Sequence, residues 1–333
     1  MPAPHRAEAP VVVIGAANID IAGTAHQPLV RADSNPGRVR ATPGGVGRNV
    51  AENLARLGVP TALCTGVGDD AFGAELLRGA AAAGVDVSAS AALPGLATSS
   101  YLSIHGPDGD MAVAVNDMDI LDALDGAWLS ARAERLLTAR AWVLEANLSA
   151  DALAWLLSQP TRPPVFADAV SAFKVLRLRP WLGALQLLQL NRLELQALTG
   201  EPLAPGRAGL RAAAQLLHAQ GLPQLVVSLG AEGAFWSERD GDHDDTHGWQ
   251  PACPVPVLSV TGAGDAQLAG IVQQLLAGAS LGQAVAAGVA CAAFTLGSAQ
   301  ACHPELSPSA LAPILTRLAT AAPDAAPDNG GCP

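Results

Sequence analysis

The stretch VTGAGDAQLAG, Val260–Gly270, sets three small residues, Gly262, Ala263 and Gly264, directly in front of one carboxylate, Asp265. The residues that follow, AQLAGIVQQLLAG, carry apolar side chains at roughly helical spacing, which places Asp265 in the first turn of a helix that begins at the glycines. The residues before it, VPVLSV, read as a short strand. A strand, a glycine turn and a helix start leave free backbone N–H groups at the positive end of a helix dipole, and such a nest binds anions. Gly262 and Gly264 let a phosphate approach the backbone, because no β-carbon stands in the way. An acid beside that nest repels the anion unless it has another task. One such task is to take a proton from a hydroxyl while the nest holds the phosphoryl group that the hydroxyl attacks. The other reading is a plain helix cap, a place where Asp is favoured, and this stretch alone leaves both open.

The chain has 333 residues, half of them hydrophobic and 15% charged, which is a globular composition. Length alone suggests about two domains, although α/β folds of this size are often one. A net charge of −11 and the lack of any basic run argue against nucleic acid as a partner. The apolar stretch Ala284–Phe294 is too short and alanine-rich to span a bilayer, so no membrane association is expected. MPAPHRAEAP has no apolar signal core, and a cytoplasmic protein is expected. Cys64, Cys253, Cys291, Cys302 and Cys332 form no Cys-x-x-Cys pair, which counts against a disulfide framework or a structural zinc site. HDDTH, His243–His247, reads as a solvated loop rather than a metal cluster. The single lysine, Lys174, does not follow a glycine, so any ATP must be handled without the lysine-bearing P-loop.

Strands are expected at VVVIG, TALCTGVG, AWVLEA, PVFAD, LQLLQL and QLVVSLG, with helical patterns VGRNVAENLARLG, FGAELLRGAAAAG, RAGLRAAAQLLHAQG and the helix after Gly264. This alternation predicts an α/β, doubly wound, mostly parallel sheet flanked by helices, with ligands at the C-terminal strand ends. Residues 17–43 and the hairpin pattern at 98–117 break the alternation and are expected to form a small β-sheet lid that closes out water. The plan is a loose tail over residues 1–10, one domain over 11–321 and a disordered tail over 322–333.

Shorter motifs fall at the expected strand ends. GVGDDA, Gly66–Ala71, fits the dinucleotide fingerprint, but Asp86 some 20 residues later does not clearly end a strand, so a helix start is the better reading. In NID, Asn18 and Asp20 point the same way in an extended chain and suit a sugar diol, or else mark a solvated strand end. PGGVGRN brings Gly44, Gly45 and Gly47 to a helix start, allowing close approach of a ligand, with Asn49 in the first turn facing the site. In NRLE, Asn191 and Glu194 face either a hydrated Mg²⁺ and phosphate oxygens or simply cap a helix. SLGAEG, Ser228–Gly233, is a nucleotide cradle or a hairpin. Lys174, the only lysine, is either a ligand contact or a surface charge.

Taken in order, NID, PGGVGRN, GVGDDAFG, NRLE, SLGAEG and VTGAGD make the chain resemble the ribokinase-like (PfkB) carbohydrate kinases from about Val11 to about Leu318. The resemblance implies phosphoryl transfer from MgATP to a hydroxymethyl group of a sugar or nucleoside. Asp265 is then the base, and the N–H groups of Gly262, Ala263 and Gly264 are the anion hole. It implies sugar contacts at Asn18, Asp20, Gly44, Gly45, Asn49 and Glu145, phosphate and Mg²⁺ roles for Asn191 and Glu194, and a nucleotide turn at Ser228, Gly230 and Gly233. Four segments, VVVIGAANIDIAG, ADSNPGRVRATPGGVGRN, TSSYLSIHGPDGDMAVAVNDM and DAVSAFK, resemble the pseudouridine-kinase subgroup, which implies a nucleoside substrate and includes Lys174 in the site. A homodimer paired through the lid is also expected. Ser259 and Val260 stand where most members carry Asp-Thr, which counts against a monovalent-cation site, and Ala169 replaces a proline usual in the subgroup.

Overall fold

The computed structural model describes residues 8–239 and 245–320. Val11–Ile14 is buried along its whole length because its alternate faces pack into different cores: Val12 and Ile14 on one side of the sheet, Val11 and Val13 on the other. A strand covered on both faces needs a continuous apolar run, and this one is central in an eight-stranded sheet. The order is Thr246–Gln250, Ala234–Glu238, Gln224–Ser228, Leu187–Asn191, Val165–Asp168, Ala141–Glu145, Val11–Ile14 and Thr61–Cys64. The last six run parallel, and the first two are an antiparallel extension. The six parallel strands and the four helical patterns lie where the sequence places them. The hairpin reading of SLGAEG holds: the chain turns back through Gly233, at φ 98°, into Ala234–Glu238, while the next strand, Thr246–Gln250, was not foreseen. Thr246 and His247 of HDDTH therefore belong to a strand and not to a loop, while His243 and Asp244 lie outside the described residues.

VPVLSV is not a strand. Pro254 and Pro256 offer no N–H to a ladder, and the segment runs without strand pairing, tied by the Leu258 N–H to the Leu296 carbonyl at 2.8 Å. The alanine-rich stretch lies in the helix Leu281–Leu296, which packs on Ala263–Leu276. A β-carbon on Gly270 would stand 2.7 Å from Cys291 Sγ and one on Gly288 2.7 Å from the Gln267 carbonyl, so these small residues serve helix-to-helix approach. Among the described residues no helix is long and apolar enough to cross a membrane. Cys64, Cys253, Cys291 and Cys302 are buried and unbridged; Cys332, most of the 1–10 tail and the 322–333 tail lie outside the described residues.

The small sheet has the order Gly37–Gly44, Asn18–Ala25, Ser100–His105 and Met111–Asp117. Its register settles which side chains share a face. Thr42, Asp20, Tyr101 and Asn116 form one row. On the other face two rows cross the sheet, Ala41, Ile21, Leu102 and Val115, then Val39, Gly23, Ile104 and Val113. Asp70 caps the helix Ala71–Ala82 by accepting from the Gly73 N–H at 2.8 Å, so GVGDDA is a helix start, and Asp86 pairs with Arg135.

Candidate active site

The C-terminal ends of the parallel strands line up in register: Glu145 beside Asp168, Asp168 beside Gln189, Asn191 beside Ser228. Over them stands the first turn of the helix Ala263–Leu276. Gly262 takes a left-handed φ of 81° as its N-cap, and no side chain caps it, so its first N–H groups face the cleft. Ala263 N–H lies 3.4 Å from the Val260 carbonyl, at the outer limit of a bond. A β-carbon on Gly264 would meet nothing closer than Gln189 Nε2 at 4.0 Å. Gly264 therefore leaves room for a bulky anion.

The glycines of PGGVGRN work differently. A β-carbon on Gly45 would stand 2.5 Å from the Ala16 carbonyl, one on Gly47 2.8 Å from the Gly15 carbonyl carbon, and one on Gly44 would collide with the Asp20 carboxylate. These small residues let the helix Val46–Arg56 start against the protein's own backbone. Gly44 in particular makes room for the Asp20 side chain, rather than for a ligand directly.

Two hydrogen-bonded pairs join the motifs. Asn18 Nδ2 donates to Asp20 Oδ1 at 2.6 Å, which puts both side chains on the face that the alternation predicted. Asn49 Nδ2 donates to Asp265 Oδ2 at 2.7 Å, linking residues 216 positions apart. Burial pushes the Asp265 carboxyl up to about 6, helped by the nearby Asp20 charge and opposed by the Asn49 bond and Arg48. Asp20 is raised as well, first by burial.

Glu145 is buried, and each of its oxygens already accepts a main-chain N–H, Ala16 at 2.6 Å and Asn147 at 2.7 Å. It ties those two segments together. A β-carbon on Gly15 would press on its side chain at 2.6 Å. Lys174 donates from Nζ to Asn147 Oδ1 and is half-buried, so it is not a free surface charge; burial lowers its affinity for a proton, against the attraction of Glu145.

Asn191 and Glu194 form a reciprocal capping box: Asn191 Oδ1 accepts from the Glu194 N–H at 3.0 Å and Glu194 Oε2 from the Asn191 N–H at 2.7 Å. The cap reading thus holds, and it fixes both side chains at the strand end while leaving the Asn191 amide nitrogen and the second Glu194 oxygen outside the box. Burial raises Glu194. At the edge of this region Gly230, at φ 60°, has open space around it, whereas a β-carbon on Gly233 would overlap the Gln250 carbonyl, so Gly233 serves the hairpin.

Several residues of the cleft were missed. Asp168 is raised well above the usual carboxylate range, by burial first and then by the Asp265 charge; it accepts from the Val170 N–H at 2.8 Å and lies 3.3 Å from Gln189 Nε2. Gln189 Nε2 donates to the Gly264 carbonyl at 2.9 Å, tying the sheet to the glycine turn. Asp168 ends a predicted strand, a position that marks it as a candidate. Gln189 is hidden in an apolar run, and only its register reveals it. Arg48, inside PGGVGRN, is 6% exposed and touches Asn49.

A family model described as pfkB family carbohydrate kinase matches residues 8–308. The chain belongs to the pfkB family of carbohydrate kinases. Pseudouridine kinase of Escherichia coli (strain K12) is 40% identical over 297 residues, 89% of this chain and 93% of that protein. The uncharacterized sugar kinase YeiI of the same organism is 36% identical over 299 residues, 89% of this chain and 80% of that protein. A solved structure of a putative ribokinase II in complex with ATP and Mg²⁺, from E. coli, superposes with a TM-score of 0.77 at 20% identity, covering 93% of this chain and 99% of the other. As a pfkB carbohydrate kinase, the protein is a phosphotransferase with an alcohol group as acceptor, built on the ribokinase fold.

Proposed function

We propose that this kinase transfers the γ-phosphoryl group of ATP to the 5′-hydroxyl of pseudouridine, giving pseudouridine 5′-phosphate and ADP. The observation that carries the transfer step is Asp265 itself: a carboxylate with an affinity for protons near neutrality, one oxygen held by Asn49, in the first turn of an uncapped helix that opens at Gly264. Asp265 takes the proton from the attacking hydroxyl, and the N–H groups around Gly262, Ala263 and Gly264 stabilise the charge that develops on the phosphoryl oxygens. Asn18 and Asp20 hold the ribose hydroxyls from the lid side, with Asn49 between sugar and base.

Nucleotide and metal fit the remaining residues. Among the described residues no group of three or more His, Cys, Asp or Glu can hold a metal ion unaided, which suits an Mg²⁺ that arrives on phosphates and keeps its waters. Glu194 would hold it through water and Asn191 would face the phosphates, while Ser228 and Gly230 would border the nucleotide. When bound, Mg²⁺ neutralises charge on the phosphate oxygens. Ser259 and Val260 supply no carboxylate at the glycine turn, so no monovalent-cation requirement is proposed.

Pseudouridine as the acceptor is supported by the 40% identical relative, which matches nearly end to end. A second reading, another nucleoside or a sugar such as ribose, is favoured by the sugar kinase at 36%. The test is ADP release from MgATP with pseudouridine, uridine, ribose and adenosine side by side, with phosphate position assigned by NMR. Preference for pseudouridine with 5′ phosphate supports the first reading, and preference for another acceptor supports the second. Silence on all four with nucleoside binding intact would point to a binding protein without turnover. The exposed Val39, Leu102, Val113 and Val115 on the outer face of the lid support self-association there into a homodimer.

A further inference from the structure

We propose that Arg48 is a positioning residue for phosphoryl transfer, acting through the side-chain amide of Asn49, which it forces to present its NH₂ group to Asp265. This rests on the reading of Asp265 as the base. An amide can face either way, and only its neighbours decide. Arg48 Nη1 stands 2.8 Å from Asn49 Oδ1 and can only donate, so the oxygen end must face it and the NH₂ end is left for Asp265 Oδ2 at 2.7 Å. The flipped amide would set NH₂ against guanidinium and oxygen against carboxylate, two repulsive contacts in place of two bonds. Cys302 Sγ, 3.7 Å from the same Oδ1, is a further weak donor on that side.

Arg48 is itself held on several sides. It forms an ion pair with Glu52 and donates to the Pro43 carbonyl at 3.2 Å. Glu52, 5% exposed, receives Arg56 through Nε at 2.9 Å and Nη2 at 2.7 Å on its other oxygen, and Arg56 reaches the Pro304 carbonyl. Residues 48, 52 and 56 thus form one i, i+4, i+8 line on the helix Val46–Arg56. Buried ion pairs often add little net stability compared with apolar packing. What this one supplies is a fixed direction for the amide that meets Asp265. With one Asp265 oxygen so engaged, the other is left for the substrate hydroxyl. The Arg48 charge and the Asn49 bond also favour the ionised acid, against burial and the charge of Asp20, with Asp168 nearby.

The test is Arg48→Lys, which keeps the charge but cannot reach Pro43, Glu52 and Asn49 in one planar fork. The expected result is a drop in kcat of about 10- to 100-fold, with KM for ATP and nucleoside nearly unchanged and the acid limb of kcat moved to higher pH. Glu52→Gln, which removes the ionic anchor and leaves Arg48 in place, is the second variant and is expected to lose roughly 3- to 10-fold in the same direction. Thermal melts show which variants are folded. In the wild-type free enzyme, the Asn49 side-chain NH₂ protons should exchange slowly with solvent. A folded variant with wild-type kcat and an unmoved acid limb overturns the proposal, as does rapid exchange of that NH₂ group if neither variant folds. Asp265→Asn run alongside separates the two ideas. Full turnover there removes the base and this proposal with it, whereas a dead Asp265→Asn beside fully active Arg48 and Glu52 variants removes only this one.

Discussion

The carbonyl oxygen of Ala301 occupies the space that a β-carbon on Gly262 would need, while a β-carbon on Gly264, two residues on, would meet open space. The two glycines of one motif therefore answer to different demands. Gly262→Ala forces a left-handed alanine against a main-chain carbonyl and is expected to cost about 2–4 kcal/mol of stability. Gly264→Ala sits in the first turn of a helix and should fold normally, even gaining up to about 1 kcal/mol. Its methyl group would instead fill the anion site, lowering kcat/KM for ATP by about 100-fold. Urea melts and steady-state kinetics on both variants check this; a stable Gly262→Ala, or a fully active Gly264→Ala, would contradict the division of roles.

Asp265→Asn should reduce kcat by about 10²–10⁴-fold with nucleoside binding retained. It should also reveal what the ionised acid costs the fold. The folded-state value is raised from 3.8 to about 6, so below the lower value both folded and unfolded chains hold the proton. As pH rises through the window the unfolded chain releases it first, and stability falls until the folded value is passed. The variant should thus melt higher than the parent at pH 8, and the two should converge near pH 4. Identical melting at both pH values would show that the carboxylate is solvated in the free enzyme.

The six parallel strands, the small sheet and the helices that begin at Val46, Ala71, Gly206 and Ala263 were legible because they rest on local signals: period-2 and helical spacing, glycine turns and one capping acid; the order of the strands and the helix Leu281–Leu296 were not. Of the antiparallel extension only the turn was legible, as the hairpin reading of SLGAEG, because the strands Ala234–Glu238 and Thr246–Gln250 carry no strong alternation of their own. VPVLSV misled for the opposite reason, since its apolar residues suit a strand and its prolines forbid the ladder. In the site, Asn49 was expected in the first turn of its helix and facing the cleft, whereas its bond to Asp265, 216 positions away, has no local signal. Gln189 was missed because what marks it is strand register, a property of the sheet and not of any window of sequence, whereas Asp168 stood at the end of an expected strand and could have been read from that position. The glycines of PGGVGRN were expected to let a ligand approach, but the atoms they clear room for belong to Asp20, Ala16 and Gly15.

The charge of Asp20 contributes to the raised value of Asp265, which should set the acid limb of kcat/KM near pH 6, activity rising with pH as the base loses its proton. Asp20→Asn removes that charge and, on the proposed function, one acceptor for the ribose hydroxyls. It should raise KM for the nucleoside by about 10- to 100-fold and move the acid limb to lower pH, leaving KM for ATP nearly unchanged. A pH profile of the variant at saturating ATP checks this, and a limb that stays in place would mean that Asp20 does not act on the base electrostatically.

The outer face of the lid gives the last prediction. Val39, Leu102, Val113 and Val115 come from three of the four strands, lie on one face and are 72%, 41%, 54% and 63% exposed. Isolated apolar side chains on a surface need no explanation, but a contiguous patch in register does, and it marks a contact surface. The strands Gly37–Gly44 and Met111–Asp117 are also the two free edges of that sheet. A second copy packed face to face would cover the patch and stiffen the lid over Asp20. Val113→Lys puts a charge into the patch, on its edge strand, while leaving the row of Thr42, Asp20, Tyr101 and Asn116 on the opposite face untouched. The parent should elute as a dimer in size exclusion with light scattering, and Val113→Lys as a folded monomer with weakened nucleoside binding, because a lone lid holds Asp20 less firmly. A parent that is monomeric at every concentration would leave the patch without this partner, and a dimeric Val113→Lys would place the subunit contact elsewhere.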